Sequence, residues 1–441
     1  MKRLLPLLLC AVLALFCATT AQAAGVSITL TASEYALHYA FDAGAQDPFV
    51  ILEYTTPAEK GWMMLYSEDG HFEGDVSLAY SGAGGKTSVA LTSARTTGSI
   101  GKASTTLPKA ADYQKPTGKS NVKVMDFVLT ETPEGFHYAF NAIGTDYMLL
   151  YWRSKEQTVT QPVYPDENGH YEGDVISNLT FARTQFTVQV KSGSGSMKKE
   201  ATVRKGYQAP EAPQRQEGRL SGVTVCIDAG HQENGRFVNE PIGPGLSGST
   251  SGKGGMAQGT KTNRRESIVC LEIGMLLRDE LLRQGANVVM TREDQTTFHT
   301  NIERCEIAEA GGAQIMLRLH CNNSSNRSKR GIQVYGPLNS DYAKAVADAD
   351  TYREMGQKLL DAMKTRVGMT LANSTGMVRL NDNYVGNNWA KMMCFLVEMG
   401  YLSNPAEEYL LVTPVYQQWL AEGMADGVYE IAVARGWVQA Q

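Results

Sequence analysis

Three apolar runs in the second half of the chain each carry a residue able to bind a metal or move a proton. VTVCIDAGH closes on His231, QIMLRLH closes on His320, and CFLVEMG carries Glu398. Glu266 follows two arginines at the start of a long helical pattern. Each has a plainer reading when taken alone. His231 fits a strand-ending turn, His320 a satisfied core histidine, and Glu266 a first-turn acid complementing the helix dipole. Glu398 resists such a reading, because a carboxylate inside FLVEMG is costly to bury unless it is paired, hydrogen-bonded or near a metal. Jointly the set has the logic of a hydrolytic zinc site. Two imidazoles and a carboxylate leave a fourth position on Zn²⁺ for water, and a second carboxylate takes up the proton that this water loses.

The surrounding elements place these residues on one rim. After the strand-like VTVCIDA, Val269, Ile273, Leu276, Leu277 and Leu281 recur on one face of a helix over 266–284. Strand 286–291, helix 301–311, strands 314–320 and 331–336, a helix around 341–366, strand 393–400 and a helix over 413–434 follow. Alternating apolar strands and helices predict an α/β domain on a mostly parallel sheet flanked by helices. In such a sheet the ligand site lies beyond the carboxyl ends of the strands, where His231, His320 and Glu398 fall. The helix returning from that rim brings Glu266 to it.

Five blocks in order carry a family resemblance: IDAGH, the helix-opening Glu266, VVMTRED, NIERCEIAEAGGAQIMLRLHCN and FLVEMGYLSNPAEEYLL. Together they resemble the catalytic domain of zinc-dependent N-acetylmuramoyl-L-alanine amidases of type 3, over roughly residues 220–436. The resemblance implies that Zn²⁺ is held by His231, Glu266 and His320, with Glu398 as the catalytic carboxylate. It implies hydrolysis of the peptidoglycan amide that joins the muramic acid lactyl group to L-alanine of the stem peptide. Asp228, three residues before His231, is the candidate to orient that ligand from behind.

Two departures from the family pattern matter. Where many relatives read Ser-Ile-His, this chain reads Arg318-Leu319-His320. Arg318 shares a strand face with His320, so it is expected either to grip a substrate carboxylate or to form a structural ion pair. The stretch 232–265 holds eight glycines within GRFVNEPIGPGLSGSTSGKGGMAQG and is expected to be a mobile flap at the groove. Its GKGG lacks phosphate-loop spacing. The polar, aromatic segment RLNDNYVGNNW, from Arg379 to Trp389 and including Asn388, is expected to wall the groove and touch substrate.

The first half is a different protein. LHYAFDA at 37–43 returns as FHYAFNA at 136–142, and GHFEGDV at 70–76 returns as GHYEGDV at 169–175. Short alternating runs between turn clusters predict two β-sandwich repeats of immunoglobulin or fibronectin-III type, 24–115 and 120–205. The repeated His38, His71, His137 and His170 read as turn and strand chemistry copied with the module. Residues 206–219 form a linker to the catalytic domain, 220–441. Lys2 and Arg3, the apolar run 4–16 and Ala21-Gln22-Ala23 read as a signal peptide over 1–23, with no transmembrane anchor in the mature chain.

Composition narrows the partners. A net charge of −5 gives no basis for nucleic acid binding. The cysteines outside the leader, Cys226, Cys270, Cys305, Cys321 and Cys394, are odd in number and lie in apolar patterns, so no disulfide framework is expected. The expected setting is secreted and wall-facing, or periplasmic if an outer membrane exists, with a wall or protein ligand as the possible partner of the repeats. A zinc peptidase cutting within the stem peptide is the enzymatic alternative, although the chain has no HExxH. A non-catalytic wall-binding scaffold is the other.

Overall fold

The computed structural model describes residues 19–21, 25–33, 36–57, 60–78, 84–96, 98–109, 122–132, 135–144, 148–154, 158–163, 165–166, 168–176, 184–192, 196–205, 209–233, 238–250, 255–368 and 378–440. Two compact units emerge, Met1–Lys115 and Pro116–Gln441. Apart from Thr19–Ala21, the expected signal peptide lies outside the described residues.

The first unit is all β. Its strands are β1 (Thr19–Ala21), β2 (Ile28–Ala32), β3 (Ala36–Asp42), β4 (Phe49–Thr55), β5 (Lys60–Tyr66), β6 (His71–Ser77), β7 (Gly85–Ser93) and β8 (Ser99–Leu107). They form two antiparallel sheets, ordered β1-β2-β3-β6 and β5-β4-β7-β8. Alternation drives the packing: along β8 every second residue from Gly101 to Leu107 is buried. Leu30, Leu37, Phe41 and Phe72 from one sheet meet Leu52, Val89 and Leu91 from the other in a single core.

The second unit begins with the copy. Strands β9 (Lys123–Thr132), β10 (Gly135–Ile143), β11 (Met148–Arg153), β12 (Thr158–Val163), β13 (His170–Ile176), β14 (Thr184–Ser192) and β15 (Met197–Lys205) form sheets β13-β10-β9 and β12-β11-β14-β15. The duplication extends to contacts. His38 Nδ1 lies 3.1 Å from Asp75 across β3 and β6, and His137 Nδ1 lies 2.9 Å from Asp174 across β10 and β13. His71 and His170 likewise face Asp42 at 2.7 Å and Asn141 at 2.9 Å.

The α/β region follows with β16 (Thr224–Ala229), a small hairpin of β17 (Glu240–Pro241) and β18 (Ser249–Thr250), α1 (Glu266–Arg283), β19 (Asn287–Met290), α2 (Asn301–Ala310) and β20 (Ile315–Asn322). Next come β21 (Gln333–Gly336), α3 (Asp341–Val346), α4 (Ala349–Val367), β22 (Arg379–Leu380), α5 (Val385–Trp389), β23 (Met393–Tyr401), α6 (Glu407–Leu410) and α7 (Pro414–Ala434). The sheet is mixed, ordered β19-β16-β20-β23-β21-β22, with β21 antiparallel to β23 and the other neighbours parallel.

Pairing register sorts the side chains by face. Cys226, Met316 and Cys394 are cross-strand neighbours and pack against Cys305 and Ala308 of α2 and Trp389 of α5. On the other face Ile227, Ala229 and Leu319 surround Gly274 of α1, and Phe395 meets Tyr352 of α4 edge-on at 5.8 Å. Helix α7 lies across α1 and α4.

Two local features depart from the sequence pattern. The single helix expected around 341–366 is broken, because Ala347 is extended and Asp348 caps α4 by accepting from Thr351 N–H at 2.8 Å. An aspartate that bonds the backbone ahead of it favours a helix start over a helix interior. The segment before β16 is tied to α1: Arg278 Nη1 donates to Pro210 O at 3.1 Å, Gln216 N to Leu282 O at 3.0 Å, and Arg219 Nε to Gln284 Oε1 at 2.9 Å.

Candidate metal centre and its cavity

β16 and β20 are parallel neighbours, with Asp228 opposite Arg318 and Ala229 opposite Leu319. Their carboxyl ends therefore deliver His231 and His320 side by side, with ring centroids 4.9 Å apart. Glu266, the first residue of α1, enters over the same rim. Its Oε1 lies 3.1 Å from His231 Nε2 and 3.0 Å from His320 Nδ1. Among the described residues, these three are the only His/Cys/Asp/Glu group whose ligand atoms all lie within 4.8 Å of one another.

The backbone fixes Glu266 as well. Ala257 N–H donates to Oε2 at 2.7 Å and Cys321 N–H to Oε1 at 3.0 Å. Burial alone would raise this carboxyl, but the bonds from His231 and His320 outweigh it and hold it well below the ordinary carboxylate range. His320 is shifted the other way: burial pulls its imidazole below its ordinary value despite the Glu266 bond. A neutral imidazole is the form that binds a cation. Two nitrogens and one carboxylate oxygen converging on one point fit a divalent zinc-type ion.

Reaching this geometry costs backbone strain. His231 has φ 57°, a left-handed conformation that a non-glycine residue holds at a cost of about 1–3 kcal/mol. Arg304 of α2 secures it, with Nη2 donating to His231 O at 3.1 Å and Nη1 to Ala229 O at 2.9 Å. Gly230 must be glycine for a different reason. A Cβ there would lie 2.4 Å from Leu319 O and 2.6 Å from the His320 ring.

Glu398 sits on β23 directly opposite His320 on one side and Gln333 of β21 on the other. Its Oε2 is buried with no hydrogen-bond partner. Burial, and then the charge of Glu266, push its carboxyl up to about 8. The structure thus brings together all four residues that the sequence singles out as ligands and base.

The remaining candidates are placed differently. Asp228 is fully buried and does not reach the His231 ring. It accepts from Arg304, from Arg318 Nε at 2.9 Å and from Thr291 Oγ1 at 2.7 Å. Burial would raise its carboxyl, but the Arg304 and Arg318 charges hold it far below the ordinary range. Its link to His231 runs through Arg304. Arg318, at the cavity wall, has the structural ion pair with Asp228, and its Nη2 donates to Asn301 Oδ1 at 2.6 Å. Arg379 and Asn388 are not among the described cavity residues. Asn388 is buried behind the wall, where its Nδ2 donates to Ile242 O at 3.1 Å and Asp382 O at 2.9 Å.

Those bonds also correct the expectation of a mobile flap for the described part of 232–265. Glu240 accepts from Asn301 Nδ2 at 2.7 Å and Ile302 N–H at 2.8 Å, capping α2, while Trp389 Nε1 donates to Pro241 O at 2.9 Å. The hairpin of β17 and β18 is docked, and glycine count alone could not reveal it. Residues 234–237 and 251–254 of that stretch lie outside the described residues.

The four residues line a cavity of about 930 Å³, together with Glu240, Phe298, His299, Asn383 and Tyr384. Tyr384 meets Tyr335 at 5.2 Å, and burial raises its hydroxyl well above the ordinary value. Asn383, Tyr384 and Val385 of the cavity lining fall within the 379–389 segment expected to wall the groove, whereas sequence reasoning missed Arg292 and the structural work of Arg304. For the arginines the available signal was a charged residue at the end of an apolar strand and another on a helix packed against the same sheet face.

Residues 225–430 match the family model described as N-acetylmuramoyl-L-alanine amidase. A germination-specific N-acetylmuramoyl-L-alanine amidase of Bacillus subtilis (strain 168) is 26% identical over 231 residues, 49% of this chain and 83% of that protein. A probable cell wall amidase LytH of Staphylococcus aureus is 27% identical over 218 residues, 48% of this chain and 60% of that protein. Among solved structures, the N-acetylmuramyl-L-alanine amidase Ami1 of Mycobacterium smegmatis aligns with TM-score 0.44 and 17% identity, over 49% of this chain and 99% of its own. An N-acetylmuramoyl-L-alanine amidase of Clostridium difficile 630 aligns with TM-score 0.38 and 24% identity, over 48% and 96%.

Proposed function

Because residues 225–430 belong to the N-acetylmuramoyl-L-alanine amidase family, we propose that His231, Glu266 and His320 hold a zinc ion beside Glu398 as catalytic carboxylate. The chain is a peptidoglycan amidase, hydrolysing the amide between N-acetylmuramic acid and L-alanine of the stem peptide. The observation that carries the site assignment is the convergence of His231 Nε2 and His320 Nδ1 on Glu266 Oε1, with Glu398 opposite His320.

When bound, zinc supplies Lewis acidity that polarises a carbonyl and acidifies a water. The chain's own residues do the rest. Glu398 offers an unbonded oxygen beside the centre, placed to take up a proton from water, and burial raises the basicity of its carboxylate. Having taken that proton, the same carboxyl gives it to the departing L-alanine amine. The ligand carboxylate Glu266 stays ionised, so the two carboxylates divide their roles by environment. Asp228, through Arg304, keeps the His231 backbone in place.

The domain reading is that residues 24–115 and 120–205 are immunoglobulin- or fibronectin-like sandwiches. Residues 206–219 connect them to the catalytic domain 220–441, and 1–23 is a leader whose cleavage removes the edge strand β1 from the first sheet. Paired antiparallel sheets around one core in each module support this. The wall-facing setting is supported by the leader-like sequence and by the cell wall amidase among the relatives. No described helix is long and apolar enough to cross a membrane. The modules position or target the enzyme through a cell-wall or protein ligand.

Elemental analysis of the purified chain tests the centre. The expected result is roughly one zinc per chain, lost on replacing His231 or His320 by alanine. Zinc retained in both variants overturns the ligand assignment.

A further inference from the structure

We propose that Arg292 is a positioning residue for the metal centre, fixing His231 and Glu266 at the separation a shared cation requires. The inference rests on the metal-centre reading above. Arg292 follows β19, the neighbour of β16, and its side chain is buried at 2% exposure. Its Nε donates to Ala229 O at 2.7 Å, and its Nη2 donates to Gly230 O at 2.8 Å and to Ser267 O at 2.7 Å. Its Nη1 closes the fork on Asp294 O at 2.9 Å.

One guanidinium therefore grips the carbonyl immediately before His231 and the carbonyl immediately after Glu266. Gln295 Nε2 adds a second bond to Ser267 O, at 2.8 Å. These are two separate segments, a strand end and a helix start, joined through the chain only by the 34 residues 232–265. The planar fork of arginine spans them, where the point charge of lysine would not.

The partners argue for a geometric task. All four acceptors are backbone carbonyls, whereas Arg304 and Arg318 share the carboxylate of Asp228. Burying a guanidinium away from a carboxylate is expensive, and burial together with the Arg304 charge lowers its pKa to about 9. An apolar side chain would avoid the cost of the buried charge but would take a donor from four backbone carbonyls. Nor would it tie a left-handed His231 to the first turn of α1.

The test uses the full-length chain with Arg292→Lys and Arg292→Ala. Zinc affinity is read by competition with a chromogenic chelator, with unfolding of the metal-free proteins followed in parallel. Replacing a group that orients metal ligands costs about 10- to 100-fold in affinity. A loss of that size is expected for Arg292→Lys, and millimolar guanidinium should restore part of the loss in Arg292→Ala. At saturating zinc, kcat should fall with KM nearly unchanged. Arg292→Lys keeps the charge and most of the volume, so it remains the decisive variant if Arg292→Ala does not fold. Wild-type zinc affinity in a folded Arg292→Lys overturns the positioning role alone. A wild-type chain that binds no zinc overturns the metal-centre reading and this inference with it.

Discussion

His320 and Glu398 are register partners on the parallel strands β20 and β23, so their side chains leave the same face of the sheet side by side. One is bonded through Nδ1 to Glu266 at 3.0 Å, while the other keeps an oxygen free of any partner in a buried setting. On the proposed reading, the sheet register separates a metal-holding role from a proton-moving one across a single pair of strands.

Glu398→Gln should separate the two roles in solution. The amide preserves shape but cannot accept the proton, so hydrolysis should fall by about 10²- to 10⁴-fold, the usual contribution of a positioned acid–base group. Zinc content should be unchanged. A rate assay with metal analysis on the same preparation checks both, and joint loss would place Glu398 among the ligands.

Removing the metal should silence the enzyme without unfolding it. Chelation is expected to abolish hydrolysis and readdition of zinc to restore it. Much of Glu266's bonding is to the chain itself, through the Ala257 and Cys321 N–H groups. Far-ultraviolet circular dichroism before and after chelation checks that the fold persists.

Asp228→Asn should destabilise the chain strongly. Breaking a buried ion pair from one side typically costs about 3–5 kcal/mol, and here two buried guanidiniums lose their carboxylate. The sign with pH follows from the depressed carboxyl. Its contribution is complete above the unfolded aspartate value of about 3.9 and is lost as pH falls toward the folded value. Denaturant midpoints should differ most near neutral pH and draw together progressively as pH falls below about 4 toward the folded value. A constant difference across that range would contradict the assignment.

Gly386→Ala should perturb the same cluster from the other side. A Cβ there would lie 2.2 Å from Arg318 Cζ, and Arg318 cannot swing away while it is bonded to Asp228 and Asn301. Overpacking of this kind costs about 1–3 kcal/mol. The stability loss should appear in denaturant unfolding, with zinc affinity nearly unchanged.

Legibility in the sequence followed the physics of each residue. His231, His320 and Glu398 stood out because a ligating or charged residue at the end of an apolar strand has few cheap explanations. Glu266 stood out through its place at a helix start. The contacts of Asp228, Arg318 and Asn388 were hidden, because they depend on which loop packs where. Asn388 looks like a groove residue among polar neighbours, yet its amide holds the hairpin containing Glu240. The break at Ala347 was hidden as well, since one capping aspartate inside a helical pattern is a weak signal until its bond to Thr351 is seen.

Amidase action at the lactyl–L-alanine bond is tested most directly by product analysis after the full chain has digested purified peptidoglycan with zinc supplied. Stem peptides with free L-alanine amino termini, and glycan strands left uncut, are the expected products. New termini within the stem peptide, or cleaved glycan, would contradict that activity.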